Sequence, residues 1–413
     1  MNLSSVKKAE SEVLLPTYDR LQILVDHGAG VYLYGADGRK YLDFLSGIGV
    51  NALGYSHPAL TKVLTTQAKK LVHVSNLFFH PYTAELAKRL AKISGLDRVF
   101  FTNSGTEAWE GALKFARAYA QHVNQNGSKP RWRILALENS FHGRTMGSLA
   151  TTGQQKYQKP FVPLMPGVEF VRFNDVADLK AKFDDTVCAV CMEPVQGEGG
   201  VRPISKEFMV AARELTKKSG ALLILDEIQS GMGRTGKYFA YQHYGVVPDV
   251  VTLAKPIAGG LPLGAILTTH EVSSCLHPGM HGTTFGGGPL ACAVALEVLN
   301  VIEKKKLLAH VEKLGVYFRK QLAGLQKKHC CIKDVRGLGL FVAAELHSAD
   351  MAKAAVAAML ERNIIINRTN ETVLRFLPPY IVEKKHIDQV IKALDQVLVG
   401  LSVNADKRAK ASA

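Results

Sequence analysis

The fold is decided by the stretch Leu222-Leu223-Ile224-Leu225-Asp226-Glu227-Ile228-Gln229, an apolar run that ends in an acid. Similar short apolar runs recur at 98–101, 134–137, 189–192, 250–253 and 265–267. Helical patterns lie between most of these runs, for example at 106–121 and 205–219. Because near-continuous apolar strands that alternate with helices are typical of a sheet covered on both faces, the sequence predicts an α/β fold with a mostly parallel sheet.

The rest of the chain has a different pattern and divides it into three predicted parts. Residues 61–305 form the large α/β domain, and residues 306–413 form a small α+β domain. The small domain is predicted to have helices at 303–328, 351–363 and 384–401, with strands near 332–346, 364–368 and 372–377. Residues 1–60 contain a hairpin-like segment with Ala36-Asp37-Gly38 at its turn, and we expect them to join the small domain.

Composition limits the function classes. The 413 residues are 47% hydrophobic and 21% charged, as in an ordinary globular protein. Lys and Arg total 51 and Asp and Glu 36, which leaves a net charge of +15. The basic residues are scattered and two of the three densest groups fall in amphipathic helical patterns, so a solvated surface is favoured over a nucleic-acid site. A basic nucleic-acid-binding protein remains a remote alternative.

Cellular location is indicated by what the sequence lacks. No apolar run reaches the roughly 18 residues that a membrane-spanning helix needs, and residues 1–16 have no secretory pattern. The six cysteines show no disulfide framework, and Cys188 and Cys191 fall in a predicted strand, which favours core packing over a redox pair. We therefore expect a cytoplasmic protein with no membrane partner. The sequence predicts no metal site.

Lys255 follows the apolar run 250–253 and can be interpreted in two ways. A lone lysine at the end of a strand is usually a solvated surface residue. The alternative is an amine held in a pocket, where it forms a Schiff base with a carbonyl compound. Asp226 at the end of another apolar run favours the second interpretation, because a pyridoxal 5'-phosphate (PLP) site needs a lysine for the aldehyde and an acid for the pyridine nitrogen.

The phosphate of such a cofactor needs its own site, and one candidate is Asn103-Ser104-Gly105-Thr106-Glu107-Ala108. A strand, a small turn and a helix start present free N–H groups and the positive end of a helix dipole to an anion. Ser104 is also a plain N-cap with Glu107 three residues later, and that structural role alone explains the pattern.

Three further segments have both a functional and a structural interpretation. Gly231-Met232-Gly233-Arg234-Thr235-Gly236 matches a dinucleotide-binding fingerprint, but it does not lie in the turn where a strand meets its helix. In Ser140-Phe141-His142-Gly143-Arg144, an aromatic ring suits stacking and an arginine suits a carboxylate, although a surface ion pair is an alternative for Arg144. The Gly-rich loop 281–288 suits either a phosphate contact or a flexible connection.

Taken together, these segments carry a family resemblance. The successive motifs SGTEA, FHGRT, MEPVQGEGG, LLILDEIQSGMGRTG, TLAKPIAGGLPLGA and HGTTFGGGPLA resemble those of the class III (ornithine-type) aminotransferases, which have the PLP fold type I. The resemblance extends from about residue 17 to 400. It implies a large domain with a seven-stranded, mostly parallel sheet and a homodimer with its active sites at the interface.

The resemblance also implies roles for individual residues. Lys255 corresponds to the lysine that binds the cofactor, and Asp226 to the partner of the pyridine nitrogen. The other implied cofactor contacts are Gly105, Thr106, Phe141, Glu227, Ile228, Gln229 and, from the second subunit, Thr284. Substrate contacts are implied for Arg144 and Thr283, and for Glu198 and Arg375, which correspond to an ion pair that opens when 2-oxoglutarate binds.

The implied reaction is a ping-pong transfer of the terminal amine of N-acetylornithine to 2-oxoglutarate, because the segments 47–54, 75–77 and 150–157 are most similar to the members of the class that use this donor. Ornithine, succinylornithine, 4-aminobutyrate and succinyldiaminopimelate are the alternative donors. Trp109 and Gly288 depart from the motifs, since asparagine is usual at both positions. These two departures leave the donor less well determined than the type of reaction.

Overall fold

The computed structural model describes residues 2–124 and 130–411, and its centre is a seven-stranded sheet. In spatial order the strands are Arg98–Thr102, Gly264–Thr268, Val250–Leu253, Leu222–Asp226, Val187–Met192, Arg133–Leu137 and Val168–Val171. Only Gly264–Thr268 runs antiparallel to its neighbours. The predicted α/β fold with a mostly parallel sheet is confirmed. The edge strand Val168–Val171 was not predicted, because Glu169 interrupts its apolar run.

Helices cover both faces of this large sheet. They are Pro58–Ala68, Pro81–Ser94, Gly105–Val123, Met146–Ala150, Val176–Lys182, Lys206–Ser219 and Pro289–Lys304, with short helices at Ser46–Gly49, Gln155–Gln158 and His270–Ser273 and 3-10 turns at Lys159–Phe161, Ala240–His243 and Lys255–Ala258. Alternate residues of the central strand enter different cores. Leu223 packs in the cluster that contains Phe208, and Ile224 packs in the cluster that contains Phe115. Because its residues alternate between two cores, the strand is buried on both faces, and its carboxyl end is held in a fixed position.

The remaining strands form three smaller sheets. One contains Ile332–Leu338, Phe341–Leu346, Val373–Phe376 and Asn367–Thr369, another contains Val25–Ala29, Tyr32–Gly35, Lys40–Asp43 and Ile364–Ile365, and the third contains Val195–Gln196 and Arg202–Pro203. Helices Leu307–Lys328, Ala349–Glu361 and Lys384–Ala411 accompany them, and Leu3–Val13 precedes them. Phe44 shares one apolar cluster with Phe318 and Leu374. This shared core supports the expected association of residues 1–60 with the C-terminal part, while the division at residues 60 and 305 stays a prediction.

Two predicted elements are divided in the structure. The helix expected at 303–328 is wrong in its start, since one helix ends at Lys304 and the next begins at Leu307. Lys306 between them has a φ of 50°, a left-handed conformation that interrupts a right-handed helix. The strand expected near 364–368 is two short strands that belong to different sheets. No helix in the described ranges has the length and apolarity needed to span a membrane.

Candidate active site

A cavity of about 360 Å³ lies at the carboxyl ends of the central parallel strands. Strands Leu222–Asp226 and Val250–Leu253 are parallel neighbours, so the residues that follow them meet at one edge of the sheet, where open α/β sheets bind ligands. The cavity is lined by Val50, Asn103, Ser104, Gly105, Thr106, Phe141, His142, Gly143, Glu193, Glu198, Asp226, Ile228, Gln229, Ala254, Lys255, Gly260, Leu261, Pro262 and Leu263. Eight of the predicted site residues are therefore brought together around one space.

Asp226 is held from two sides. Its Oδ1 accepts a hydrogen bond from the Ile228 amide at 3.0 Å, and its Oδ2 lies 2.7 Å from Nδ1 of His142. The side chain of His142 is fully buried and that of Asp226 is 4% exposed. Since an ionised carboxylate only accepts, Nδ1 of His142 carries the proton and donates to Asp226. These two contacts fix the direction of a carboxylate that is almost completely buried.

Lys255 lies in the same cavity and is a buried amine. Among the described residues it forms no ion pair within 4.0 Å, and burial lowers its pKa against the opposing influence of Glu198, Asp226 and Glu193. Its backbone φ of 31° is rare for a residue with a side chain, and the strain of such a conformation is common at functional sites. An amine that spends part of its time neutral is a nucleophile for an aldehyde.

Glu193 is a buried acid that the sequence analysis did not select. It accepts hydrogen bonds from the amides of Phe141 at 3.0 Å and Gly197 at 2.8 Å. Burial, helped by the charge of Asp226, raises the pKa of Glu193 to about 8. The protonated form of Glu193 therefore predominates at neutral pH.

Another part of the cavity wall is the start of helix Gly105–Val123, a candidate anion cradle. Ser104 is the N-cap, and its hydroxyl accepts from the Glu107 amide at 3.3 Å. The Glu107 carboxylate accepts from the amide of Asn103 at 2.7 Å, one residue before the N-cap. A Cβ on Gly105 would lie 2.9 Å from the methyl groups of Ile228, so only glycine fits there. The free N–H groups of the helix start face the cavity side and suit a phosphate.

A second charged pair lies at another part of the cavity wall. Nη1 of Arg375 is 2.5 Å from Oε1 of Glu198, and the side chains are 1% and 26% exposed. Arg375 also donates to Oε1 of Gln229 at 3.3 Å and, through Nε, to Oδ1 of Asn367 at 3.1 Å. Burial opposes the ionisation of Glu198, but Arg375 and Lys255 outweigh it and the pKa of Glu198 is lowered. The predicted ion pair is present.

Besides Arg375, which contacts the cavity-lining residue Glu198, four predicted residues do not line the cavity. Arg144 is exposed, and its guanidinium lies 4.1 Å from the ring centre of Tyr157 and 5.5 Å from that of Phe141. Thr284 is also exposed, and Thr283 accepts from Nδ2 of Asn103 at 3.0 Å. Both threonines lie in one loop. Within this chain, that loop contacts the cavity lining through the hydrogen bond between Asn103 and Thr283.

The fourth is Glu227, which the structure places differently from the expected cofactor contact. Its carboxylate is fully buried outside the cavity lining and accepts from the hydroxyl of Ser230 at 2.6 Å and the amide of Tyr241 at 2.9 Å. Adjacent residues at the end of a strand point in opposite directions, so the Asp226 direction excludes Glu227 from the pocket. Glu227 instead holds the loop that follows the strand. The segment Gly231–Gly236 is part of that loop and no helix starts there, which removes the dinucleotide-binding interpretation.

Comparison with known proteins decides the family. A family model described as aminotransferase class-III matches residues 14–398. This chain belongs to the class III aminotransferase family. It is 48% identical to an acetylornithine aminotransferase of Methanocaldococcus jannaschii over 94% of this chain and 96% of that protein. A succinylornithine transaminase of Yersinia pseudotuberculosis is 43% identical over 94% of this chain and 95% of that protein.

Solved structures lead to the same family. An ornithine aminotransferase from Toxoplasma gondii, whose crystal structure has partial occupancy of PLP at its active site, superposes with a TM-score of 0.93. It is 32% identical and covers 98% of this chain and 95% of its own. Class III aminotransferases depend on PLP, so this chain is a PLP-dependent transaminase of fold type I.

The residues of this class III aminotransferase fit that cofactor. A buried amine without an ion pair in the described residues, a fixed carboxylate and a helix start with free N–H groups surround one cavity, and they suit an aldehyde, a pyridine nitrogen and a phosphate. Sequence reasoning missed His142 and Glu193, although both stand in motifs that it quoted. The signal for His142 was its place directly after Phe141, in a turn already assigned to the site.

Proposed function

We propose that this aminotransferase moves the terminal amine of N2-acetyl-L-ornithine to 2-oxoglutarate, giving N-acetyl-L-glutamate 5-semialdehyde and L-glutamate. The relatives named acetylornithine aminotransferase support this donor, since seven of them share 40–48% identity with nearly the whole chain. The observation that carries the proposal is the ion pair between Glu198 and Arg375 beside Lys255.

This ion pair would allow one site to bind two substrates whose carboxylates lie in different places. The donor has one carboxylate far from the amine that reacts, whereas 2-oxoglutarate has a second carboxylate directly beside its keto group. While the donor is bound, Glu198 neutralises Arg375, so no unpaired buried cation faces the apolar part of the donor. When 2-oxoglutarate binds, Glu198 withdraws and Arg375 accepts the additional carboxylate. The partial exposure of Glu198, 26%, supports the view that it is the member that moves.

Two arginines would then hold the acceptor. Arg144, which is exposed and directly follows the cavity-lining residue Gly143, is proposed to bind the carboxylate that both substrates have far from the reacting carbon. Its stacking on the ring of Tyr157 at 4.1 Å holds the guanidinium while leaving its edge for a bidentate contact. Thr283 is proposed as a further substrate contact from the neighbouring loop.

The remaining residues would hold the cofactor and move one proton. PLP, when bound, acts as an electron sink that makes the hydrogen on the amine-bearing carbon acidic. Asp226 is proposed to bind the pyridine nitrogen, Gln229 the ring hydroxyl, Phe141 the ring face, and Gly105 and Thr106 the phosphate. Ile228, which lies directly beside Gly105, is proposed as a further contact to the cofactor. Lys255 would bind the aldehyde of the cofactor and would hold and transfer the proton at its Nζ.

We further propose that a second copy of the chain completes the site. Leu77, Phe78 and Phe79 are 86%, 64% and 105% exposed, and the adjacent Asn76 donates through Nδ2 to the carbonyl oxygens of Thr283 and Gly286 at 3.0 and 3.2 Å. An exposed apolar patch of this kind beside a site loop suits an interface between subunits. In such a homodimer, Thr284 would contact the phosphate bound by the other subunit.

The dimer is tested by mixing two inactive variants. Lys255→Ala and Thr284→Ala are unfolded together and refolded, at a PLP concentration that does not saturate Thr284→Ala. If Thr284 acts across the interface, one site in each mixed dimer has both native residues, so activity recovers to about a quarter of that of the wild type. Recovery to no more than the average of the two variants would contradict the arrangement. Phe79→Asp is expected to give monomers, whereas Val247→Asp, on another exposed apolar residue, is the matched control.

The donor is tested by measuring kcat/KM for a panel of amines with 2-oxoglutarate. The kcat/KM for N-acetylornithine is expected to be at least tenfold higher than that for ornithine. The difference from 4-aminobutyrate and from succinyldiaminopimelate is expected to be larger, because neither of these two compounds has both the chain length and the single carboxylate of the proposed donor. A preference for free ornithine would overturn the proposed donor and leave the reaction type intact.

N-succinylornithine is the second candidate, since a relative named succinylornithine transaminase is 43% identical. It carries one carboxylate more than the acetylated compound, on the acyl group. A higher kcat/KM for it would therefore indicate an additional cation near the cavity mouth. We also propose a cytoplasmic location, supported by six free thiols in the described residues.

A further inference from the structure

Trp109 is one of the two departures from the family motifs, and the structure gives it a specific neighbour. Its indole is fully buried and lies parallel to the imidazole of His142, with ring centres 3.9 Å apart and an angle of 6° between the planes. The indole Nε1 donates to the hydroxyl of Thr151 at 2.8 Å. The hydrogen bond fixes the rotation of the indole, and the indole in turn fixes one face of the imidazole.

His142 needs this restraint because its own hydrogen bonds leave the ring plane free. Nδ1 donates to Asp226 at 2.7 Å, and the backbone amide donates to Thr152 at 3.0 Å. Nε2 is buried and has no hydrogen-bond partner among the described residues. No second ring hydrogen bond in the described residues therefore opposes rotation about the Cβ–Cγ bond, and the flat contact with Trp109 restrains the ring by packing.

Trp109 also connects the two ends of the cavity. It lies four residues after Gly105 on the helix whose start forms the anion cradle, so both face the same side of that helix. Through His142 it reaches Asp226, the carboxylate at the other end. The distance between the cradle and the carboxylate is thus held by one continuous contact from helix to indole to imidazole.

We propose that Trp109 is a positioning residue that acts through His142 to hold Asp226 in register with the phosphate cradle, an inference that rests on the proposed cofactor contacts of Asp226 and Gly105. It makes no contact with the cofactor or the substrate. Its effect is to keep the Nδ1–H of His142 directed at Asp226, so that Asp226 presents its other lone pairs to the pyridine nitrogen.

The test is a double-mutant cycle read out as PLP affinity. PLP dissociation constants are measured by equilibrium dialysis on cofactor-free protein for the wild type, Trp109→Leu, His142→Asn and the double variant. Trp109→Leu is expected to raise the dissociation constant about tenfold, near the upper end of what one aromatic pair contributes. In the His142→Asn background the same change is expected to have less than a twofold effect, because the residue through which Trp109 acts is gone.

Two further variants separate positioning from general packing. Trp109→Phe keeps an aromatic face over His142 and is expected to change the dissociation constant less than about threefold. Trp132→Phe, at the other tryptophan, which is 40% exposed, is the control for loss of an indole. Trp109→Met replaces Trp109→Leu in the cycle if the leucine variant does not fold.

A structural role alone predicts a different pattern. Trp109→Leu would then lower the midpoint of thermal unfolding while leaving PLP affinity and the visible absorption band of the bound cofactor unchanged. Equal weakening of PLP binding in both backgrounds, or no weakening in either, would overturn the proposal. Failure of the wild type to bind PLP would instead overturn the cofactor assignment itself, so the two failures are distinguishable.

Discussion

The two charged centres of the cavity are held in opposite ways. Asp226, with a side chain that is 4% exposed, is fixed by the His142 imidazole and a backbone amide. Glu198, with a side chain that is 26% exposed, is held mainly by the cation it pairs with, Arg375. A carboxylate that meets the same partner in every step can be fixed by its surroundings, whereas one that must yield to a substrate has to keep room to move. With the roles proposed above, the fixed carboxylate belongs to the part of the site that would hold the cofactor, and the movable one to the part that would select substrates.

The largest expected effect lies at the fixed centre. Asp226→Ala should lower kcat/KM roughly 10³-fold for N-acetylornithine and for 2-oxoglutarate alike, since both half-reactions use the same electron sink. Single-turnover absorbance measurements of each half-reaction check this. Asp249→Asn, at the opposite edge of the sheet, is the control and should leave both rates nearly unchanged. A loss of kcat/KM for only one of the two substrates would contradict the role of Asp226 in both half-reactions.

The next effect is selective and lies at the movable centre. Arg375→Ala should lower kcat/KM for 2-oxoglutarate by roughly 10²-fold or more, because it removes the cation from a buried carboxylate site. For the donor the loss should stay below about tenfold, since Arg375 is masked while the donor is bound. Arg368→Ala, on the same short sheet but exposed, is the matched control. Equal losses for donor and acceptor would contradict the switch.

A smaller effect is expected when the charge of Glu198, which neutralises Arg375, is removed. Glu198→Gln keeps the shape of the side chain but removes the charge that neutralises Arg375. The KM for 2-oxoglutarate should fall by about three- to tenfold, since the acceptor no longer displaces an anion, while the KM for N-acetylornithine should rise. Steady-state kinetics with each substrate varied in turn give both values. A rise in the KM for 2-oxoglutarate would mean that Glu198 helps to bind it.

The smallest effect concerns stability near the fixed centre. The pKa of Glu193 is raised by burial from 4.5 to about 8, so between these values the folded chain binds more protons at this group than the unfolded chain. This contribution to the free energy of unfolding is therefore present at acid pH and decreases as the pH rises towards 8, by about 1.4 kcal/mol per pH unit at most.

Glu193→Gln should remove this part of the pH dependence. Urea unfolding of cofactor-free protein at several pH values between 5 and 8.5, compared with the wild type, measures the difference. Glu138→Gln changes an exposed carboxyl at the end of the neighbouring strand and should leave the slope unchanged. A wild type and Glu193→Gln with the same slope would show that Glu193 is ionised in the folded chain.

Much of the site could be predicted from sequence because its key residues follow strands. The apolar runs before Asp226 and Lys255 specify buried strands, and parallel strands bring their carboxyl ends to one edge. The start of the phosphate helix was also predictable, because Ser104 and Gly105 form a local capping pattern. In these cases local sequence carries the information.

The rest could not be predicted, because it depends on contacts between distant segments. The contact between His142 and Asp226 joins residues 84 positions apart, and that between Trp109 and His142 joins different elements. The left-handed conformation of Lys306, the residue before the second helix, likewise has no signal in the lysine-rich sequence 304–306. Glu227 was assigned to the site by its place beside Asp226, whereas the turn of the backbone directs it elsewhere.

The most direct test of the account is to locate the cofactor on the chain. Purified protein is saturated with PLP, reduced with borohydride to make the lysine linkage permanent, digested, and mapped by mass spectrometry. The account predicts one phosphopyridoxyl group, on Lys255, and none after the same treatment of Lys255→Ala. A label on another lysine, or equal labelling of the variant, would contradict the assignment of Lys255 and Asp226 as the two fixed points of the site.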